Sequence, residues 1–175
     1  MVKDKIKAFL LKEKKLIINL LYGLLITLFF IFLDQLFKAL VHNYFKVTET
    51  AEVIPKFFHL TYQRNRGAAF SFLEGKQWLF ITIGVIFSLI ISYFFKYFDL
   101  RKRLGFSLAL AMLLAGTLGN LFDRIYHGFV IDFYDFTFGS YEFATFNIAD
   151  SFLTVGIIIL VIDSFIGETK DLWKK

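Results

Sequence analysis

Asp132 and Asp150 are the two side chains in this 175-residue chain best suited to act together. Each closes an aromatic or β-branched run, Phe129-Val130-Ile131-Asp132-Phe133 and Phe146-Asn147-Ile148-Ala149-Asp150-Ser151, with no cation close by in sequence. Two carboxylates brought side by side in apolar surroundings do not both ionise cheaply, so they share a proton. One then serves as general base on water while its protonated partner polarises a carbonyl. Read as structure alone, Asp150 is instead the N-cap of an apolar helix and Asp132 a loop carboxylate.

Other hydrolytic chemistries lack their parts. His42, His59 and His127 fall in separate segments, without the spacing of a metal site. There is no cysteine, and no serine sits in a nucleophile-elbow sequence. The remaining polar residues read as support. Asp34 and Lys38 are four apart, so they share a helix face and can pair. Asp123, followed directly by Arg124, reads as an anchor for a helix end that holds this arginine. Asp135 reads as solvated. Asn120 lies in an apolar run, where its amide needs partners.

The elements that must position these groups are membrane helices. The chain is 57% hydrophobic and 20% aromatic, with 25 Phe and one Pro, which is not the composition of an ordinary soluble domain. Apolar runs cover 16–33, 78–95, 104–122 and 151–166, each near the length that crosses a bilayer as a helix. In the third, Ala111, Ala115 and Gly119 recur every four residues and allow a neighbouring backbone to come close. The alternating stretch 58–63 reads as a half-buried strand, and 125–149 is aromatic and partly alternating. The chain divides into a basic lead (1–15), one four-helix membrane unit (16–167) and a charged tail (168–175).

The net charge of +5 belongs to lysines and arginines flanking the spans rather than to a nucleic-acid surface. The lead holds 6 of them, the loop 96–103 holds 4 and the tail 3, against 7 on the opposite side. Both termini are therefore expected in the cytoplasm, with the polar clusters on the outer side.

Five motifs follow one another: Asp34-Gln35-x-x-Lys38, Asn65-x-Gly67-Ala68-Ala69, Gly116-x-x-Gly119-Asn120-x-x-Asp123-Arg124, Val130-Ile131-Asp132-Phe133 and Phe146-Asn147-Ile148-Ala149-Asp150-Ser151. Together, over roughly residues 20–165, they resemble the bacterial lipoprotein signal peptidase (signal peptidase II) family. The resemblance implies an intramembrane aspartyl protease in the bacterial cytoplasmic membrane that cuts prolipoproteins before a diacylglyceryl-modified cysteine. It implies Asp132 and Asp150 as the catalytic pair. Asp34, Lys38, Asn65, Gly67, Asn120, Asp123, Arg124 and Asn147 are implied as supporting residues. It also implies a fold that is mainly α, with four transmembrane helices, a small extracytoplasmic β-sheet and a mobile segment over the site. Membrane lipids and lipidated precursors are the expected partners. No metal, organic cofactor, nucleic acid or obligate protein partner is expected.

Two rivals are weaker. Presenilin-type proteases carry Tyr-Asp and Gly-x-Gly-Asp motifs; Tyr134-Asp135 matches the first, but the second is absent. A proton-conducting carrier would need acids spread through the membrane depth, whereas nearly all cluster on one side and Asp163, its best support, lies near the cytoplasmic end of its span where it can reach the interface.

Overall fold

The computed structural model describes residues 2–67 and 75–166. Four helices run as α1 (Val2–Tyr44), α2 (Gln77–Phe94), α3 (Leu104–Tyr126) and α4 (Ile148–Ile166). Four strands, β1 (Thr50–Ile54), β2 (Phe58–Asn65), β3 (Val130–Phe138) and β4 (Tyr141–Glu142), form one antiparallel sheet in the order β1-β2-β3-β4. Each helix is long and apolar enough to cross a membrane. The protein is thus a mainly helical membrane protein with a small sheet at one end of its bundle.

The bundle is sorted around α3. Ala109, Ala111 and Ala115 are buried there, as are Phe106, Leu110 and Leu113. The other helices turn large apolar side chains outward, Leu25 and Leu89 among them, at 61% and 66% exposure. Such faces suit hydrocarbon and would be a liability in water. Close approach of α3 to α4 depends on Gly116: a Cβ there would lie 2.5 Å from the Ala149 carbonyl oxygen. Gly119, expected to serve that approach, lies against Ala149 of α4, whose Cβ would be 3.4 Å from its added Cβ, and also makes room for Asp34, whose Oδ2 would lie 2.6 Å away.

Two boundaries differ from the sequence reading. The expected first span, 16–33, is the middle of a longer helix, because Lys, Ala, Leu, Phe and Glu in the lead are all acceptable helix formers with no breaker among them. The fourth helix starts at Ile148, three residues before the expected Ser151. Ala68, Ala69 and the tail 168–175 lie outside the described residues.

The sheet sits on a small core of Val41, Tyr62, Phe129, Ile131 and Phe133. Pairing of β2 with β3 sets Gln63 opposite Asp132 and Asn65 opposite Val130. Beyond β4 the chain returns to β3, where the Phe146 amide donates to the Tyr134 carbonyl (3.1 Å) and the Phe146 carbonyl accepts from the amides of Phe133 (3.0 Å) and Tyr134 (2.8 Å). That clasp fixes the entry to α4 beside β3.

Candidate active site

Asp132 enters the site from β3, and Asp150 from the first turn of α4. Both faces of β3 are covered over its first four residues, and Asp132 lies there at 2% exposure. Its Oδ2 accepts from Asn65 Nδ2 at 2.9 Å and its Oδ1 from Asn147 Nδ2 at 2.6 Å. Burial pushes this carboxyl up, and the neighbouring Asp150 carboxylate pushes it further. The two asparagine donors and the Lys38 charge pull the other way, and the balance stands at about 7.

Asp150 is not the N-cap of α4; Asn147 is. The Asp150 amide donates to Asn147 Oδ1 (2.9 Å), and Asp150 Oδ2 accepts from the Asn147 amide (3.1 Å). This reciprocal arrangement satisfies two backbone donors that a helix start leaves without partners. It also places an acidic side chain at the positive end of the helix dipole. Asp150 Oδ1 accepts from Asn120 Nδ2 at 2.7 Å.

Beneath the carboxylates lies a buried ionic cluster. Lys38 Nζ reaches Asp34 Oδ2 (2.9 Å), Asp123 Oδ2 (3.0 Å) and Asn120 Oδ1 (3.0 Å), which uses all three of its protons. Asp34 and Asp123 also accept backbone amides, from Ala149 (2.8 Å) and Ile131 (3.1 Å) respectively. These two bonds pin the starts of α4 and β3 to α1 and α3. The expected pairing of Asp34 with Lys38 is present. The expected pairing of Asp123 with Arg124 is not, because adjacent residues on a helix point in different directions. Arg124 instead donates to the carbonyls of Asn120 (3.3 Å) and Gly67 (3.2 Å) and lies over the Phe80 ring, 4.9 Å from its centroid. The Gly67 amide in turn donates to Asn65 Oδ1 (2.9 Å), which holds the asparagine that reaches Asp132. Asp135 is not free in solvent either: it accepts from Thr61 Oγ1 at 2.8 Å.

Ten residues named from the sequence thus meet at one end of the bundle. Gln35, to which the first motif assigns no role, joins them. Its Nε2 donates to both Asp34 and Asp123 at 3.1 Å. Its position one residue after Asp34, inside a polar cluster ending a span, was the available signal.

Asp132 and Asp150 both line a cavity of about 570 Å³. Its walls are otherwise mainly apolar, with Phe80, Ile83 and Phe87 of α2 facing Leu153 and Ile157 of α4. A site of this kind takes an extended apolar ligand and presents two carboxyls and the Arg124 guanidinium to its polar part. Among the described residues no group of three or more His, Asp or Glu side chains is arranged to hold a metal ion.

The family model for signal peptidase (SPase) II matches residues 26–166. The lipoprotein signal peptidase of Listeria monocytogenes serotype 4a (strain HCC23) is 43% identical over 150 residues, 86% of this chain and 97% of the relative. That of Photorhabdus laumondii is 44% identical and covers 77% of this chain and 82% of its own. Two solved bacterial membrane enzymes superpose with TM-scores of 0.75 and 0.71, at 38% and 40% identity. The first covers 88% of this chain and 91% of its own, the second 81% and 90%.

Proposed function

The chain belongs to the signal peptidase II family of membrane peptidases, and from that premise we propose that it is an aspartyl endopeptidase removing signal peptides from prolipoproteins, with Asp132 and Asp150 as its catalytic pair. The observation that carries this reading is the meeting of both carboxyls on the wall of one apolar cavity, each held by asparagine donors. The Asp132 carboxyl, raised to about 7 by burial and by the neighbouring Asp150, keeps its proton below that pH. Asp150, at the positive end of α4, takes a proton from water as it attacks the scissile carbonyl, while the Asp132 carboxyl hydrogen-bonds that carbonyl's oxygen. The asparagines hold both side chains in one rotamer, so little reorganisation accompanies the reaction.

The substrate in this reading is a precursor whose cysteine carries diacylglycerol, cut just before that residue. The apolar walls from α2 and α4 receive its lipid and the hydrophobic signal helix. Each buried methylene contributes roughly 0.8 kcal/mol, so two acyl chains can dominate recognition. The site faces outward and both termini face the cytoplasm. The test is cleavage of matched precursors by the purified protein. The diacylglyceryl-modified form should be cut and the unmodified form spared; equal cleavage of both would overturn the substrate assignment.

A further inference from the structure

At the end of the bundle opposite the carboxylates, a second pocket of about 310 Å³ lies between α1 and the α2–α3 connection. Lys15, Lys96, Lys102 and Arg103 border it, and Asp99 is the only carboxylate among its described lining residues. Asp99 is already engaged. Its Oδ2 accepts from Lys15 Nζ at 2.9 Å, and its Oδ1 accepts from the amides of Arg101 (3.1 Å) and Lys102 (3.3 Å). Burial raises its carboxyl, but Lys15 and these amides outweigh that and hold it below the ordinary range, so it remains an anion. Lys96 is held over the Tyr93 ring, 3.6 Å from its centroid, and also faces Tyr97 at 5.0 Å. Arg103 stands 5.9 Å from the Tyr97 ring. Among the described lining residues one carboxylate thus stands against four cations, a local surplus of positive charge.

We propose that this pocket binds the phosphate of an anionic membrane lipid. Its depth argues for a lipid rather than a free anion. The apolar run of α2 ends at Phe94 and that of α3 starts at Leu104, so the connection between them sits where head groups lie. Tyr93 and Tyr97 occupy the level at which interfacial aromatics collect. Basic pockets between spans at this level suit anionic head groups. Leu16 and Phe98 supply apolar lining, and acyl chains would continue along the outward apolar faces of α1 and α2.

The experiment is native mass spectrometry of the full chain in detergent, titrated separately with phosphatidylglycerol, phosphatidylcholine and inorganic phosphate. Phosphatidylglycerol should bind about tenfold more tightly than phosphatidylcholine, and less tightly as salt is raised. The double variant Lys102→Gln/Arg103→Gln should lose about tenfold in that affinity. Lys46→Gln/Lys56→Gln, which removes two exposed cations at the other end, should bind as the unaltered protein does. Helical circular dichroism establishes that both variants are folded. Equal binding of the two lipids, unchanged affinity in the Lys102/Arg103 variant, or displacement of phosphatidylglycerol by an equal concentration of inorganic phosphate would each overturn the assignment.

Discussion

Asn147 and Asp150 cap one helix start for each other, through the 2.9 Å bond from the Asp150 amide to Asn147 Oδ1 and the 3.1 Å bond from the Asn147 amide to Asp150 Oδ2. The same Asn147 spends its Nδ2 protons on Asp132 (2.6 Å) and on Asn120 Oδ1 (3.2 Å). One side chain therefore both starts α4 and fixes how the two carboxyls face each other.

Serine at 147 separates those tasks, because its hydroxyl can still cap the helix but has no second donor for Asp132. Asn147→Ser is expected to fold with a melting temperature within a few degrees of the parent and to cleave roughly 10–100-fold more slowly. Alanine at the same place should lose the cap as well, at a further cost of about 1 kcal/mol. Thermal melts and single-turnover cleavage of a lipidated precursor measure both; full activity in the serine variant would remove Asn147 from the catalytic arrangement.

Asp132→Asn and Asp150→Asn each preserve shape but remove an exchangeable proton site. Either change should lower turnover by at least about 10²-fold, and the double variant should be little worse than each single one, since the two groups act as a unit. Asp135→Asn, which keeps a side-chain oxygen to accept from Thr61, should stay active. Multiplicative losses in the double variant would mean that the carboxyls work independently.

The protonation of Asp132 sets a pH signature. Its carboxyl is raised in the folded protein to about 7, so kcat/KM is expected to decline above that pH as Asp132 loses its proton. The same shift has a sign for stability: the folded state binds this proton more tightly than the unfolded chain, so the contribution is complete below the ordinary carboxylate range and is lost as pH rises through about 7. Melting temperature should fall between pH 5 and 8 more steeply in the parent than in Asp132→Asn. Removing a donor that favours the ionised form, as in Asn65→Ala, should move the alkaline limb of the rate profile to higher pH. A limb that does not move would detach Asn65 from this carboxyl.

The expected orientation rests on the charge count across the spans, and the absence of cysteine makes it simple to check. Single cysteines at Glu52 and Arg101, both exposed and at opposite ends of the bundle, should label oppositely with a membrane-impermeant thiol reagent in intact cells. Glu52→Cys should react and Arg101→Cys should not.

Much of this architecture was legible in the sequence because bilayer crossing demands long apolar runs and because the polar residues that interrupt them are conspicuous. The four spans and the strand at 58–63 emerged from length and alternation alone. What the sequence hid were directions. Asp123-Arg124 reads as a pair in one dimension, but the helix turns the aspartate inward to Lys38 and the arginine toward the cavity. Asp150 has the right residue type for an N-cap, yet the clasp of Phe146 on β3 sets the helix start at Asn147 and leaves Asp150 one turn in. Likewise Gly119 has the spacing for helix contact, but its open side is also filled from α1 by Asp34. Each of these depends on a third element that no local pattern names.

For Asp123 and Gly119 that third element is α1, and Lys38 is where its contribution is tested. Lys38 and Asp34 are 1% and 0% exposed, and Asp123 is 0% exposed, so the three charges exist in the interior only because they neutralise one another in part. Lys38→Met leaves two carboxylates without their cation, a loss of the kind that costs roughly 3–5 kcal/mol. It also removes one of the two donors, Lys38 and Asn147, that hold Asn120 Oδ1 so that Nδ2 faces Asp150. Little folded protein is therefore expected from the single variant. In Lys38→Met/Asp34→Asn/Asp123→Asn the charges are removed together, and much of the stability should return, because an uncharged set needs no buried counter-ion. Turnover should stay low in that triple variant, since Asn120 no longer has a cation to set its amide. Melting temperature in detergent and cleavage rate, read side by side, decide it: rescue of both would make Lys38 a purely structural ion, and rescue of neither would mean that the amide contacts of Asp34 and Asp123, not their charges, carry the fold.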